Sequence, residues 1–167
     1  MSKVGLIYGS DGGMTEDVCK RLVKILGEDN IDLIEVLNSS TDEVSSYDKL
    51  ILASSTWGSG DLQSDWEDFE DNLDEIDFSG KTVALLGLGD QDGYGDTFAE
   101  SLYLLHEKVK DATIIGQTST DGYDYEESLA VVDDMFLGLV IDEDNQDDLT
   151  DERLEAWANQ IKADLGL

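Results

Sequence analysis

Five short runs of mostly Val, Ile and Leu alternate along this chain with longer stretches in which apolar residues recur at helical spacing. The runs are Lys3–Tyr8, Ile31–Val36, Lys49–Ser54, Thr82–Gly87 and Thr113–Ile115, the last of which resumes at Leu139–Ile141. Strands that are apolar almost throughout are covered on both faces, and such strands form parallel sheets. The alternation therefore predicts repeated β-α units, with one parallel sheet between layers of helices.

The stretches between the runs predict amphipathic helices, because their apolar residues fall on one stripe. These helices are predicted at Thr15–Leu26, Asp65–Leu73, Thr97–Val109 and Asp151–Leu165. Trp66 and Trp157 lie on such stripes, so both are predicted to pack in the core. Cys19 is predicted to be buried and inert among the apolar residues of the first helix. Those apolar residues are Val18, Leu22, Ile25 and Leu26.

The charge balance excludes several classes of partner. The 167 residues carry 40 Asp and Glu against 10 Lys and Arg, a formal net charge of −30. Such a chain repels nucleic acid and anionic membrane surfaces, and it attracts basic proteins. No apolar run approaches the roughly 20 residues that span a bilayer. We expect one cytoplasmic domain over residues 1–167, without an iron–sulfur cluster or a metal site, since the chain has one cysteine and one histidine.

The turn after the first predicted strand has the composition of an anion-binding loop. It reads Gly-Ser-Asp-Gly-Gly-Met-Thr-Glu over residues 9–16 and leads directly into a predicted helix. Glycines allow successive N–H groups to converge on an anion, the helix N-terminus adds partial positive charge, and the Ser10 and Thr15 hydroxyls can donate. The loop has no lysine, so it is not a triphosphate-binding loop, and it lacks the dinucleotide glycine pattern. A phosphate site of neutral donors and a plain glycine-rich turn remain as alternatives.

Two further loops carry aromatic residues that have no apolar stripe to join. Trp57 follows the third strand within Ser54–Gly60, and Tyr94 follows the fourth strand within Gly87–Asp96. In an open parallel sheet, ligands bind beyond the carboxyl ends of the strands, where the strand order reverses. Together with a phosphate site, these aromatic residues predict a slot for a flat phosphorylated ring. The long segment Gln117–Leu137 interrupts the fifth strand, and segments of this length are usually functional or disordered.

Four stretches of the chain match one known family in order and spacing. They are the Gly9–Thr15 loop, Ser55–Trp57 with Gly60–Glu67, Gly89–Tyr94, and Ile141–Gln146. With them the sequence resembles long-chain flavodoxins from Lys3 to Leu167, and Gln117–Leu137 resembles the insertion of that class. The resemblance implies an α/β fold with a doubly wound five-stranded parallel sheet of order 2-1-3-4-5, helices on both faces and a fifth strand split by the insertion. It also implies a monomer.

The resemblance implies non-covalently bound FMN and no catalytic residue. Trp57 and Tyr94 would sandwich the ring, and Thr56, Asp90 and Asp144 would lie near the ribityl chain or the flavin edge. The phosphate would be held by Ser10, Asp11, Gly12, Gly13, Met14 and Thr15. Further contacts are expected from Ser55, Gly58, Ser59, Gly60, Gly89 and Asp96. Because the acidic protein disfavours added negative charge, we expect a low-potential one-electron carrier that uses the semiquinone/hydroquinone couple.

Two departures from the family's pattern affect the expected site. Gly12 stands where the family usually has Thr, and the missing hydroxyl costs on the order of 1.5–3 kcal/mol of FMN affinity unless water or backbone replaces it. The Trp57–Gly60 loop is also richer in glycine than in many long-chain members.

The expected partners are basic redox proteins such as ferredoxin-NADP reductase and other ferredoxin- or flavodoxin-dependent oxidoreductases. An acidic segment after Trp57 would steer them to the flavin. Its members are Asp61, Asp65, Glu67, Asp68, Glu70, Asp71, Asp74 and Glu75. One alternative is a flavin-dependent quinone or NADPH reductase on the same fold, and another is a module whose FMN site has decayed at Gly12. A response-regulator receiver is excluded, because the third strand ends without a phospho-accepting aspartate and no lysine follows the fifth.

Overall fold

The computed structural model describes residues 3–10, 13–57 and 60–167. At Trp57 it describes the backbone but not the side chain. The strands are β1 (Val4–Gly9), β2 (Ile31–Glu35), β3 (Lys49–Trp57), β4 (Asp61–Leu62), β5 (Thr82–Leu88), β6 (Thr113–Ile115), β7 (Thr118–Ser119), β8 (Val131–Val132), β9 (Met135–Phe136) and β10 (Leu139–Ile141). The α-helices are α1 (Met14–Leu26), α2 (Thr41–Ser45), α3 (Ser64–Asp74), α4 (Ser101–Val109) and α5 (Thr150–Ile161). Short 3₁₀ helices cover Val36–Asn38 and Asp147–Leu149.

The main sheet confirms the predicted order and the split strand. Its strands pair in the order β2-β1-β3-β5, all parallel, and both β6 and β10 pair in parallel with the outer side of β5. Ile115 of β6 pairs with Ala84, and Leu139 of β10 pairs with Leu86, so only Leu85 lies between the two registers. The two short strands are therefore one fifth strand interrupted by an insertion.

Helices cover both faces of the sheet, as the continuous apolar runs predict. Because side chains alternate along a strand, Leu6 and Ile7 of β1 enter different clusters. Leu6 packs with residues of α1 and α5, and Ile7 packs with residues of α3 and α4. Trp66 and Trp157 are fully buried on opposite faces, which confirms that both are core residues. No helix among the described residues is both long and apolar enough to cross a bilayer.

Three helical predictions need correction. The helix predicted to continue to Leu165 ends at Ile161. Ile25 is 39% exposed, not buried, while Val23 is buried. The buried arc of α1 is centred between Leu22 and Leu26, and Ile25 falls at its rim. Cys19 is buried, as predicted.

The helix expected from Thr97 begins at Ser101, because the fully buried Ala99 takes a left-handed backbone with φ of 54°. The short α2 carries too few apolar residues for a helical stripe and was not predicted.

The insertion between β6 and β10 carries its own antiparallel sheet, in the order β7-β9-β8. Phe136 of β9 is fully buried and packs against Phe98 and Tyr123, with ring centroids 6.0 and 4.9 Å away. The indole N–H of Trp157 donates to the carbonyl of Gly116 at 2.8 Å, just after β6 ends. These contacts fix the insertion to the core of the main domain.

Candidate functional site

The strands that precede the predicted loops end at one level of the sheet. Gly9 of β1 pairs with Ser54 of β3, and Ser54 pairs with Gly87 of β5. Parallel neighbours in this register place their following loops side by side. The glycine-rich loop, the Trp57 turn and the Tyr94 loop therefore leave the same edge of the sheet, where the strand order reverses between β1 and β3.

The start of α1 has the geometry of an anion site. Gly13 is the N-cap residue of the helix, with φ of 85°, and it has no side chain to cap the first turn. The backbone N–H of Gly13 donates to Ser10 Oγ at 3.0 Å, while Thr15 is buried and Met14 is exposed. An uncapped helix N-terminus presents N–H groups and partial positive charge to an anion. Asp11 and Gly12, also predicted to hold the phosphate, lie outside the described residues.

Gly9 makes room for a side chain that the sequence reasoning did not assign to the site. A Cβ at Gly9 would collide with Oε1 of Gln63, so a larger residue cannot stand there. Gln63 is fully buried, and its Oε1 accepts from the N–H of Asp65 at 3.1 Å, which caps α3. The loop after β1 and the start of α3 are thereby packed against each other.

The Trp57 turn is a β-hairpin that returns along the end of β3. Thr56 pairs with Leu62 and Trp57 pairs with Asp61, both antiparallel. Gly60 closes the turn with φ of 93°, a conformation that favours glycine. Gly58 and Ser59 lie outside the described residues, as does the Trp57 side chain. The predicted contacts of these groups with a ring therefore remain predictions.

The hydroxyl of Thr56 is engaged with the start of α4. It donates to Ser101 Oγ at 2.8 Å and accepts from the Ser101 N–H at 3.2 Å. The Ser101 hydroxyl donates in turn to the carbonyl of Ser54 at 3.3 Å. The N-cap residue of α4 supplies no side-chain cap, so Thr56 provides one from a neighbouring strand. Ser55, between them, is half-buried and pairs with Leu88.

Asp90 orders the loop that carries Tyr94. Its Oδ1 accepts from the N–H groups of Asp92 at 3.1 Å and Gly93 at 2.8 Å, and from Nδ2 of Asn145 at 2.8 Å. The Gly93 N–H and then the Asn145 amide lower the pKa of Asp90 below its usual value. The loop holds Tyr94 in an exposed position, with 48% of the residue accessible, as a stacking residue requires.

Gly89 begins this loop, and Asp96 is exposed near its end. A Cβ at Gly89 would lie 2.9 Å from Cε1 of Phe98, so the close packing requires glycine. The N–H of Gly89 donates to the carbonyl of Ile141 at 3.1 Å, which joins the ends of β5 and β10. The predicted residues Gly89 and Asp96 thus lie at the edge that holds Tyr94.

A buried carboxylate that the sequence reasoning missed connects this loop to the turn after β10. Asp142 is fully buried, and its Oδ2 accepts from the backbone N–H of Gln91 at 3.0 Å and from its side-chain amide at 2.8 Å. Its Oδ1 accepts from the N–H of Asn145 at 3.0 Å, and the Asn145 side chain donates to it as well. The resemblance included this stretch, but no spacing rule singles out Asp142.

Asp144 lies beside this network and is exposed. One oxygen of each of Asp90, Asp142 and Asp144 lies within 4.8 Å of the others. Partial burial, followed by repulsion from Asp90, raises the pKa of Asp144 above its usual value. The structure therefore brings the two predicted flavin-edge carboxylates together.

The acidic residues after Trp57 were predicted to gather around the flavin edge, but most of them are spread along α3. Asp61 and Asp65 stand near the edge of the sheet, but α3 runs about 16 Å from Ser64 to Asp74 at 1.5 Å per residue. Asp74 forms an ion pair with Lys108 at 3.0 Å. The segment as a whole does not surround one point, and only its first half adjoins the candidate site.

Comparison with known proteins agrees with this architecture. A family model described as flavodoxin matches residues 6–157. Flavodoxin of Helicobacter pylori is 48% identical over 162 residues, which cover 97% of this chain and 98% of that protein. Flavodoxin of Synechococcus elongatus is 42% identical over 170 residues, with 100% of both chains covered. The crystal structure of Fusobacterium nucleatum flavodoxin bound to flavin mononucleotide has a TM-score of 0.93 and 34% identity, and the match covers 98% of this chain and 99% of that chain. The chain belongs to the flavodoxin family.

Proposed function

We propose that this chain binds one FMN non-covalently at the carboxyl edge of its sheet and carries single electrons between larger redox proteins. The observation that carries the proposal is the juxtaposition of the α1 N-terminus, whose N-cap residue is a glycine, with two loops that bear aromatic residues. The flavodoxin of F. nucleatum, whose fold matches nearly the whole chain, is bound to flavin mononucleotide. The relatives named above are flavodoxins, so they lend no support to a reductase.

The phosphate end of the site suits a dianion held by neutral donors. The N–H groups at the start of α1 and the hydroxyls of Ser10 and Thr15 are the donor set, and Gly13 leaves the space above the helix open. Hydrogen bonds to a charged acceptor contribute about 1.5–3 kcal/mol each, so several of them replace a lysine. The absence of a hydroxyl at Gly12 removes one of these donors.

The ring end of the site suits a flat, weakly polar group. Tyr94 offers an exposed phenol ring, and the Trp57 turn lies one strand away. When bound, FMN supplies a ring that accepts and releases one electron at a time. Asp90, held ionised by backbone N–H groups, and Asp144 add negative charge at this edge, which disfavours further negative charge on the ring and lowers the potential for electron uptake.

FMN binding is tested by titrating the apoprotein with FMN and following the quenching of flavin fluorescence. We expect one equivalent to bind, and we expect Ser10→Ala to raise Kd about tenfold. Ser79→Ala, at the opposite edge of the sheet before β5, is the matched control and should leave Kd unchanged. If the wild-type chain does not quench flavin fluorescence, the proposed function is wrong.

The carrier role is tested separately from FMN binding. In an anaerobic reductive titration, two resolved one-electron steps are expected for a carrier. The holoprotein alone should not oxidise NADPH with a quinone, whereas catalytic NADPH turnover in this assay would identify the reductase alternative.

The partners that fit this surface are basic redox proteins, and ferredoxin-type reductases are the class that the family suggests. Asp61, Glu67 and Asp68 are exposed near the candidate site, and they attract a basic face at low salt. Association with a basic reductase should slow as salt rises, and Glu67→Gln with Asp68→Asn should weaken that dependence. The matched control removes two exposed charges from the opposite edge of the sheet, through Glu28→Gln and Asp29→Asn. If both double variants weaken the salt dependence equally, net charge alone is its cause, and the acidic residues near the candidate site do not steer the partner.

A further inference from the structure

Glu100 is a buried acidic residue between two parts of the chain that are distant in sequence. It is 8% exposed and immediately precedes α4. Its Oε2 accepts a hydrogen bond from the N–H of Leu129 in the insertion at 2.8 Å. On its other side lies Gly60, where a Cβ would stand only 2.6 Å from Oε1 of Glu100. The two oxygens of one carboxylate thus face the insertion and the turn that follows Trp57.

Backbone contacts align the insertion with the segment that leads to Glu100. The carbonyl of Gly95 accepts from the N–H groups of Glu126 at 2.8 Å and Glu127 at 2.9 Å. The N–H of Phe98 donates to the carbonyl of Glu127 at 3.2 Å, and the hydroxyl of Ser128 donates to the carbonyl of Phe98. Residues 95–100 and 126–129 therefore form a continuous strip of contacts, and Glu100 is the last residue of that strip.

The following residue connects the same segment to β3. The N–H of Ser101 donates to Thr56 Oγ1, one residue before Trp57. Glu100 thus stands where the strip of insertion contacts meets the end of β3, and its side chain reaches the far side of the same turn at Gly60. Ser101 is hydrogen-bonded to Thr56 on one side of the turn, and the Glu100 side chain packs against Gly60 on the other.

A buried carboxylate at this position destabilises the fold unless its charge is compensated. Burial of a charge disfavours folding, and Glu100 forms no ion pair with any described Lys or Arg. Its compensation is the Leu129 N–H and the positive end of the α4 dipole. An apolar residue would fill the same space but would leave the Leu129 N–H without this acceptor.

We propose that Glu100 is a positioning residue that couples the insertion to the end of β3 and the start of β4, so that the insertion helps to fix the part of the candidate site where the FMN ring is proposed to bind. The proposal rests on the proposed function for its effect on FMN, but the coupling itself is a property of the apoprotein. The insertion then acts on the site through contacts and not as an independent appendage.

The first test measures amide hydrogen exchange in the apoprotein. Glu100→Ala should speed exchange at Leu129 and also at Asp61 and Leu62 by about tenfold, equivalent to about 1.4 kcal/mol of local opening. Glu100→Asp keeps the charge on a shorter side chain, so it should give a smaller rise in the exchange rate at Leu129 and at Asp61 and Leu62. If the alanine variant does not fold, Glu100→Asp provides the test. Glu127→Ala, which removes an exposed carboxylate from the same strip, is the control and should change neither.

The second test measures the bound flavin. Glu100→Ala should raise the Kd of FMN about tenfold and alter the visible circular dichroism of the ring, while Glu100→Gln, which retains an acceptor oxygen, should restore both to within about threefold of wild type. Faster exchange at Leu129 alone, or an equal rise at all amides, would overturn the coupling. A wild-type chain that binds no FMN refutes the proposed function and leaves the exchange result to decide the coupling.

Discussion

Replacing Asp142 by Asn tests whether one buried carboxylate organises two loops of the proposed FMN site. The carboxylate is fully buried and accepts hydrogen bonds on both oxygens, from Gln91 on one and from Asn145 on the other. Asparagine offers one acceptor oxygen, and its NH₂ group would face N–H donors of Gln91 or Asn145. At least one set of donors then loses its acceptor.

The magnitude follows from the number of bonds lost. Oδ2 accepts two bonds from Gln91 at 3.0 and 2.8 Å, and bonds to a charged acceptor contribute about 1.5–3 kcal/mol each. We expect Asp142→Asn to lower the unfolding free energy of the apoprotein by about 3–5 kcal/mol. For a domain of this size, each kcal/mol lowers Tm by about 2–4 °C, so the loss is readily measured.

The assay is urea unfolding of the apoprotein, combined with FMN titration. Asp92→Asn is the matched control, since Asp92 is exposed in the same loop and should change the unfolding free energy by no more than about 0.5 kcal/mol. FMN binding should weaken in Asp142→Asn because the Tyr94 loop is less well fixed. If Asp142→Asn loses less than about 1 kcal/mol of stability, and so does not differ from Asp92→Asn, the role assigned to these hydrogen bonds is refuted.

Four further measurements test other parts of the structure. Gly138→Ala should cost about 3 kcal/mol in urea unfolding, because its Cβ would stand 2.7 Å from the carbonyl carbon of Leu85 and push β10 away from β5. Burial raises the pKa of the Cys19 thiol, so Ellman's reagent at pH 8 should react with it only after unfolding. Burial lowers the pKa of His106 below 6.5, so by NMR it should titrate below that value. The stability that its neutral form contributes is present above pH 6.5 and is lost as pH falls through the folded pKa. FMN affinity should not fall between 50 and 500 mM salt, in contrast to reductase association.

The sheet could be predicted from the sequence because its signal is local. Each strand is a short apolar run, because strands buried on both faces do not alternate between apolar and polar residues. The split of the fifth strand was visible for the same reason, since Thr113–Ile115 and Leu139–Ile141 are separate apolar runs. Trp66 and Trp157 could be assigned to the core from helical spacing alone.

The polar part of the site could not be predicted in the same way. Asp142 and Gln91 are 51 positions apart, and Glu100 and Leu129 are 29 apart, so no periodic pattern connects either pair. The start of α4 was misplaced because Ala99 adopts a left-handed backbone that its composition does not signal. Alanine in that conformation is unfavourable by roughly 1–2 kcal/mol, and only the packing against Gly89 and the buried position of Ala99 explain it.

The phosphate site and the acidic surface act over different distances, and this difference allows both in one chain. The net charge of −30 repels a phosphate at long range, but at physiological salt that field is screened within about 8 Å. The N–H groups at the start of α1 act at hydrogen-bond distance, where screening is ineffective. Arg21, the arginine of α1, forms ion pairs with Glu143 at 2.7 Å and Asp151 at 2.6 Å. Added salt therefore removes the repulsion of FMN and leaves its binding groups intact, whereas for a basic partner it removes the attraction itself.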